Sequence, residues 1–155
     1  MAPSPAPSPA GIPRGKPEPP PLAFEPVLPR AAEVLLRTAM VSRLVTVSAP
    51  PGYGKTVLLG RMHEMLTQRG QRCVWVTLDD RDCSLEALHF LLGAAVGQAG
   101  LQQEGGTIRD GREPRDAGAG LERLLLRLDR LEGQTTVFLD NLGFCTDPEL
   151  PAVLD

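Results

Sequence analysis

From Leu44 onward the period of the apolar positions changes repeatedly, and each change marks an element. Leu44-Val-Thr-Val-Ser48 is a short apolar run and predicts a buried strand. Between Val57 and Arg69 the period becomes helical. Leu58, Leu59, Met62, Met65 and Leu66 share one face, Arg61, Glu64 and Gln68 lie largely opposite, and Gly70 is the stop. Arg72-Cys-Val-Trp-Val-Thr-Leu78 predicts a second strand, apolar enough to be buried on both faces, as parallel strands are. The polar turn at 79–84 follows, with Asp82 or Ser84 as candidate cap for a helix over 85–98. Residues 102–118, rich in Gly, Asp, Arg and Glu, predict a mobile surface loop, and 121–131 another helix ended by Gly133. Thr135-Thr-Val-Phe-Leu139 is a third apolar strand, closed by Asp140, and 147–154 reads as the start of one more helix. A short helix over 31–40, with Val34, Leu35 and Leu36, precedes the first strand. Strands alternating with helices predict an α/β fold of right-handed βαβ units, with a parallel sheet covered on both faces.

The junction between the first strand and its helix carries the chemistry. Ala49-Pro50-Pro51-Gly52-Tyr53-Gly54-Lys55-Thr56 fits the small-x-x-x-x-Gly-Lys-Thr phosphate-binding loop. Gly52 and Gly54 supply permissive backbone, so that N–H groups can turn toward phosphate oxygens. The following helix presents its positive end there, and Lys55 can reach the β- and γ-phosphates. The Thr56 hydroxyl is placed to ligate Mg²⁺. Asp140 closes an apolar strand well downstream, which is the Walker B pattern. An acid at the tip of a neighbouring parallel strand can hold the same ion, usually through water. The nucleotide-binding candidates are therefore residues 49–56, the metal candidates Thr56 and Asp140, and the implied cofactors ATP and Mg²⁺. Asp140 is also the one candidate for a catalytic role.

Composition narrows the surroundings. Eleven of the 16 prolines fall in residues 1–30, so 1–21 is expected to be a disordered proline-rich tail, with folding from about Leu22. The tail lacks the apolar core of a secretory signal, and no apolar run is long enough to span a membrane. The net charge of −3 argues against a general nucleic-acid-binding surface. Three cysteines, Cys73, Cys83 and Cys145, without metal-ligand spacing, fit reduced thiols in a cytoplasmic protein. Other residues have plainer readings. Arg30 is a surface arginine ahead of a helix, Tyr53 shapes the loop or packs near phosphates, and Trp75 is a core or sheet-edge aromatic. His63 and His89 are solvated helix residues, and Asp79 and Asp80 are turn formers with room for a supporting role at the site.

Taken together these segments resemble the MalT-like branch of LuxR-type bacterial transcriptional regulators, signal-transduction ATPases of the AAA-related P-loop class. The resemblance runs from about Leu22 to Asp155 and rests on Pro29-Arg30 before a helix, the Gly-Tyr-Gly-Lys-Thr loop, Val74-Trp-Val-Thr-Leu-Asp-Asp-Arg-Asp82 and Val137-Phe-Leu-Asp-Asn141. It implies a switch in which ATP and an inducer promote self-association, with promoter DNA bound by a C-terminal domain lying outside this sequence. Two positions depart from the pattern. Asn141 stands where the family often has a second acid, which implies slow hydrolysis at most, and Val57 replaces a second threonine. The resemblance also implies a further strand between the phosphate-loop strand and the strand ending at Asp140. No candidate for it follows Asp140, so the chain is expected to represent the N-terminal part of such a domain, only marginally stable, with two strand edges unpaired. The alternatives from the residues are a P-loop enzyme, either a stand-alone ATPase or a small-molecule kinase, and a non-functional fragment.

Overall fold

The computed structural model describes residues 16–21, 34, 37, 42, 44–82, 84–101, 117–131 and 133–150. Among these the chain is mixed α/β. Its elements run α1 (Lys55–Gln68), β1 (Arg72–Thr77), α2 (Leu85–Gln98), α3 (Ala117–Asp129), β2 (Thr135–Asp140) and a 3₁₀ turn (Leu142–Phe144). β1 and β2 pair in parallel, from Arg72 opposite Thr135 to Thr77 opposite Asp140.

Both faces of this small sheet are covered, for the reason the mostly apolar run at 73–78 suggests. Val74, Trp75 and Val76 are consecutive in sequence and each is 1% exposed, which a strand with one wet face does not allow. Val74, Val76 and Leu78 face α2 and α3, in a core with Leu88, Leu92, Leu121 and Leu128. Trp75 and Phe138 face α1, against Met62 and Leu66. The Trp75 indole stacks on Phe138, with centroids 5.6 Å apart, and its N–H donates to Thr77 Oγ1 at 2.7 Å. Trp75 is thus a core aromatic.

Local signals account for the helix ends. Ser84, in extended conformation, is the N-cap of α2, its hydroxyl accepting from the Ala87 N–H. Asp82, the other cap candidate, is drawn instead into the preceding turn, where it accepts from the Asp79 N–H at 2.9 Å. α3 starts at Ala117, inside the expected loop, whose remainder lies outside the described residues. So do most of the helix expected over 31–40, although Val34 and Arg37 are helical, and the helix expected to continue past Leu150.

Three expectations fail. The segment 44–48 is not a strand: it has no ladder partner, and Leu44 is 62% exposed. A strand is defined by its neighbour, and β2 pairs with β1 alone. Between segment 44–49 and β2 lies a cavity of about 1280 Å³, floored by Leu59 and Met62 of α1. His63, expected to be solvated, is half-buried with its ring edge-on to Trp75 at 5.8 Å and to Phe138 at 5.4 Å. Its place on α1, one residue after buried Met62, decides this. Residues 16–21 also join the folded unit, inside the stretch expected to be disordered: the Thr77 N–H donates to the Lys16 carbonyl at 2.8 Å.

Two outcomes follow for stability. Leu88→Ala, at a fully buried position between α2 and the sheet, should cost about 2–5 kcal/mol in urea unfolding. Burial holds the His63 imidazole below its usual 6.5, and burial together with the Arg123 charge does the same at His89. The unfolded chain therefore takes up protons first, and stability should fall as pH drops below about 6.5. His63→Gln should flatten part of that slope, as urea titrations on either side of pH 6.5 would show.

Candidate functional site

The loop at 50–54 is exposed and built on two left-handed glycines, Gly52 at φ 83° and Gly54 at φ 75°. A Cβ at either position would meet nothing within 4 Å, so the backbone angle rather than crowding demands glycine there. The Tyr53 N–H turns back to the Pro50 carbonyl at 3.4 Å, and the Leu58 N–H takes the Gly54 carbonyl at 2.9 Å as the helix begins. No side chain caps this helix start, and its first turn holds no acid. The positive end of α1 therefore faces the loop uncompensated. Tyr53, at 76% exposed, lies outward.

Lys55 and Thr56, adjacent in sequence, point at different partners. The Lys55 ammonium donates to the Ala49 carbonyl at 2.7 Å and the Pro50 carbonyl at 3.0 Å, curling across the loop. The Thr56 hydroxyl lies 3.0 Å from both carboxylate oxygens of Asp140. Asp140 is 2% exposed, at the end of β2, where its carbonyl accepts from the Leu78 N–H at 3.0 Å. The fold thus joins two residues 84 positions apart, one from the loop and one from the strand tip, as the spacing predicts.

A hydroxyl and a carboxylate are hard oxygen donors of the kind Mg²⁺ takes alongside phosphate oxygens and water. Among the described residues no group of three or more His, Cys, Asp or Glu could hold a metal alone. The donor set fits an ion that arrives with its phosphates. Asn141 sits in the left-handed region at φ 61°, a conformation asparagine tolerates, and its side-chain amide donates to the Leu78 carbonyl at 3.5 Å. That contact ties it to the end of β1.

Of the remaining candidates, Asp79 is a turn residue whose carboxylate accepts from the Arg81 N–H at 2.9 Å. That backbone bond, and next the Lys16 ammonium, hold its pKa below the ordinary value. Arg30 and Cys83 lie outside the described residues. Lys16 is the residue that sequence reasoning missed. It stands in a proline-rich stretch without periodicity, and no local signal indicates that its ammonium reaches Asp79 and Asp82. No helix among the described residues is long and apolar enough to cross a membrane. No protein-family model, curated protein or solved structure matches this chain.

Proposed function

We propose that this chain is a nucleotide-binding module that takes ATP with Mg²⁺ at residues 49–56 and Asp140. The observation that carries the reading is the Thr56–Asp140 contact, beside an uncapped helix start and a lysine held over a two-glycine loop. Phosphates entering the loop would meet the free N–H groups of the first turn of α1, and Lys55 would exchange the Ala49 and Pro50 carbonyls for phosphate oxygens. Thr56 and Asp140 would hold the metal, which neutralises phosphate charge when bound.

The nucleotide acts as a conformational ligand, as in the regulators the sequence resembles, and Asn141 implies slow hydrolysis at most. One observation favours binding over turnover. Asn141 follows the metal-side acid where a base would serve, and an amide cannot accept a proton from water as a carboxylate does. Its N–H group is engaged by the Leu78 carbonyl. The gap between segment 44–49 and β2 supports the expectation that a further strand belongs there, within a larger regulatory domain. In that setting promoter DNA would be bound through a C-terminal domain, self-association would be a property of the full-length protein, and the protein would work in the cytoplasm.

The experiment is a thermal-shift titration with Mg-ATP. At a hundred times its dissociation constant, a ligand binding only the folded form adds about 2.7 kcal/mol. Lys55→Ala should abolish that gain, and Asp140→Asn should remove the part that depends on Mg²⁺. An equal shift in wild type and Lys55→Ala would refute the proposal.

A further inference from the structure

The carboxyl end of β1 is gripped from two sides. On the β2 side, the Leu78 N–H donates to the Asp140 carbonyl, and the Leu78 carbonyl accepts from Asn141. Parallel pairing alternates, so if Leu78 bonds toward β2, Thr77 directs its backbone groups to the outer edge. There the Thr77 N–H meets the Lys16 carbonyl at 2.8 Å. A strand edge left bare at this point is occupied by a segment from far upstream in the chain.

Side chains anchor that segment. The Lys16 ammonium bridges Asp79 at 3.0 Å and Asp82, on the turn that leaves β1. The Lys16 and Asp82 side chains are only 13% and 11% exposed. Further along the strap, Glu18 accepts from the Gln98 side chain at the end of α2, at 2.6 Å. Asp82 also accepts from the Asp79 N–H, so one ammonium organises the whole turn. Without it, the largely buried Asp82 carboxylate would be left beside the half-exposed Asp79 carboxylate with no cation between them.

We infer that residues 16–18 form a strap that fixes the end of β1 and thereby the position of Asp140, making Lys16 a positioning residue for the nucleotide site. The path is continuous: Lys16 to the 79–82 turn and Thr77, then Leu78, then the Asp140 carbonyl, whose carboxylate meets Thr56. The inference rests on the reading of 49–56 and Asp140 as a nucleotide and metal site. The effect is specific to the metal half of that site, because the Lys55 ammonium is held by the Ala49 and Pro50 carbonyls, apart from this path of hydrogen bonds.

The test compares wild type with Lys16→Glu, Lys16→Gln, Lys16→Arg and the exchange Lys16→Glu/Asp82→Lys, by amide hydrogen exchange and by ATP titration with and without Mg²⁺. Lys16→Glu should speed exchange at Thr77 and Leu78 by about tenfold or more, since hydrogen bonds to charged groups are the stronger class. It should shrink the Mg²⁺-dependent gain in ATP affinity by a similar factor and leave Mg²⁺-free affinity unchanged. Lys16→Arg and the charge exchange should restore both, and Lys16→Gln stands in if Lys16→Glu fails to fold. Faster exchange with an unchanged Mg²⁺ dependence would overturn the inference, leaving the strap a structural tether. If wild type binds no ATP, the nucleotide reading falls separately. Asp140 amide exchange in Lys16→Glu then decides: faster exchange supports the strap's hold, and unchanged exchange overturns it.

Discussion

Parallel pairing of two six-residue strands is the constraint from which the rest of this structure follows. The register that sets Thr77 opposite Asp140 places the Asp140 carboxylate beside the turn leaving β1. A two-stranded sheet is marginal in water by itself. It persists here because apolar side chains alternate to both faces and each face is sealed: Trp75 and Phe138 under α1, Val74 and Val76 under α2 and α3. Packing of helices, more than the ladder itself, holds the strands in register.

The candidate site depends on that register from one side and on local backbone chemistry from the other. Gly52 and Gly54 give the loop its turn, and α1 begins immediately beyond with donors unspent. These features need only neighbours in sequence. Asp140 reaches Thr56 only because β2 runs alongside β1 and α1 lies across both. Lys55 resting on the loop's own carbonyls is what a cation does when no stronger acceptor is near.

The two outer edges of the sheet differ in how they are closed. At its carboxyl end the edge of β1 is covered by Lys16, with an ion pair to the adjoining turn. The edge of β2 opens on a large cavity bounded by segment 44–49. That contrast explains why 44–48, as apolar and β-branched as the other runs, carries no strand. Propensity supplies a preference worth fractions of a kcal/mol, whereas a ladder requires a second chain within about 4.8 Å.

Helix periodicity, the cap at Ser84, the two-sided burial of 73–78 and the loop at 49–56 were all legible in the sequence, because each depends on residues a few positions apart. A place for Asp140 near the loop was legible too, from an acid closing an apolar strand downstream, and the structure brings its carboxylate to Thr56. Three things were decided only by tertiary structure: the unpaired state of 44–48, the enclosure of His63 between Trp75 and Phe138, and the reach of Lys16 to Asp79 and Asp82. Each turns on contact between segments distant along the chain. A pattern of apolar and polar residues states which side of a segment must be buried, but not what arrives to bury it.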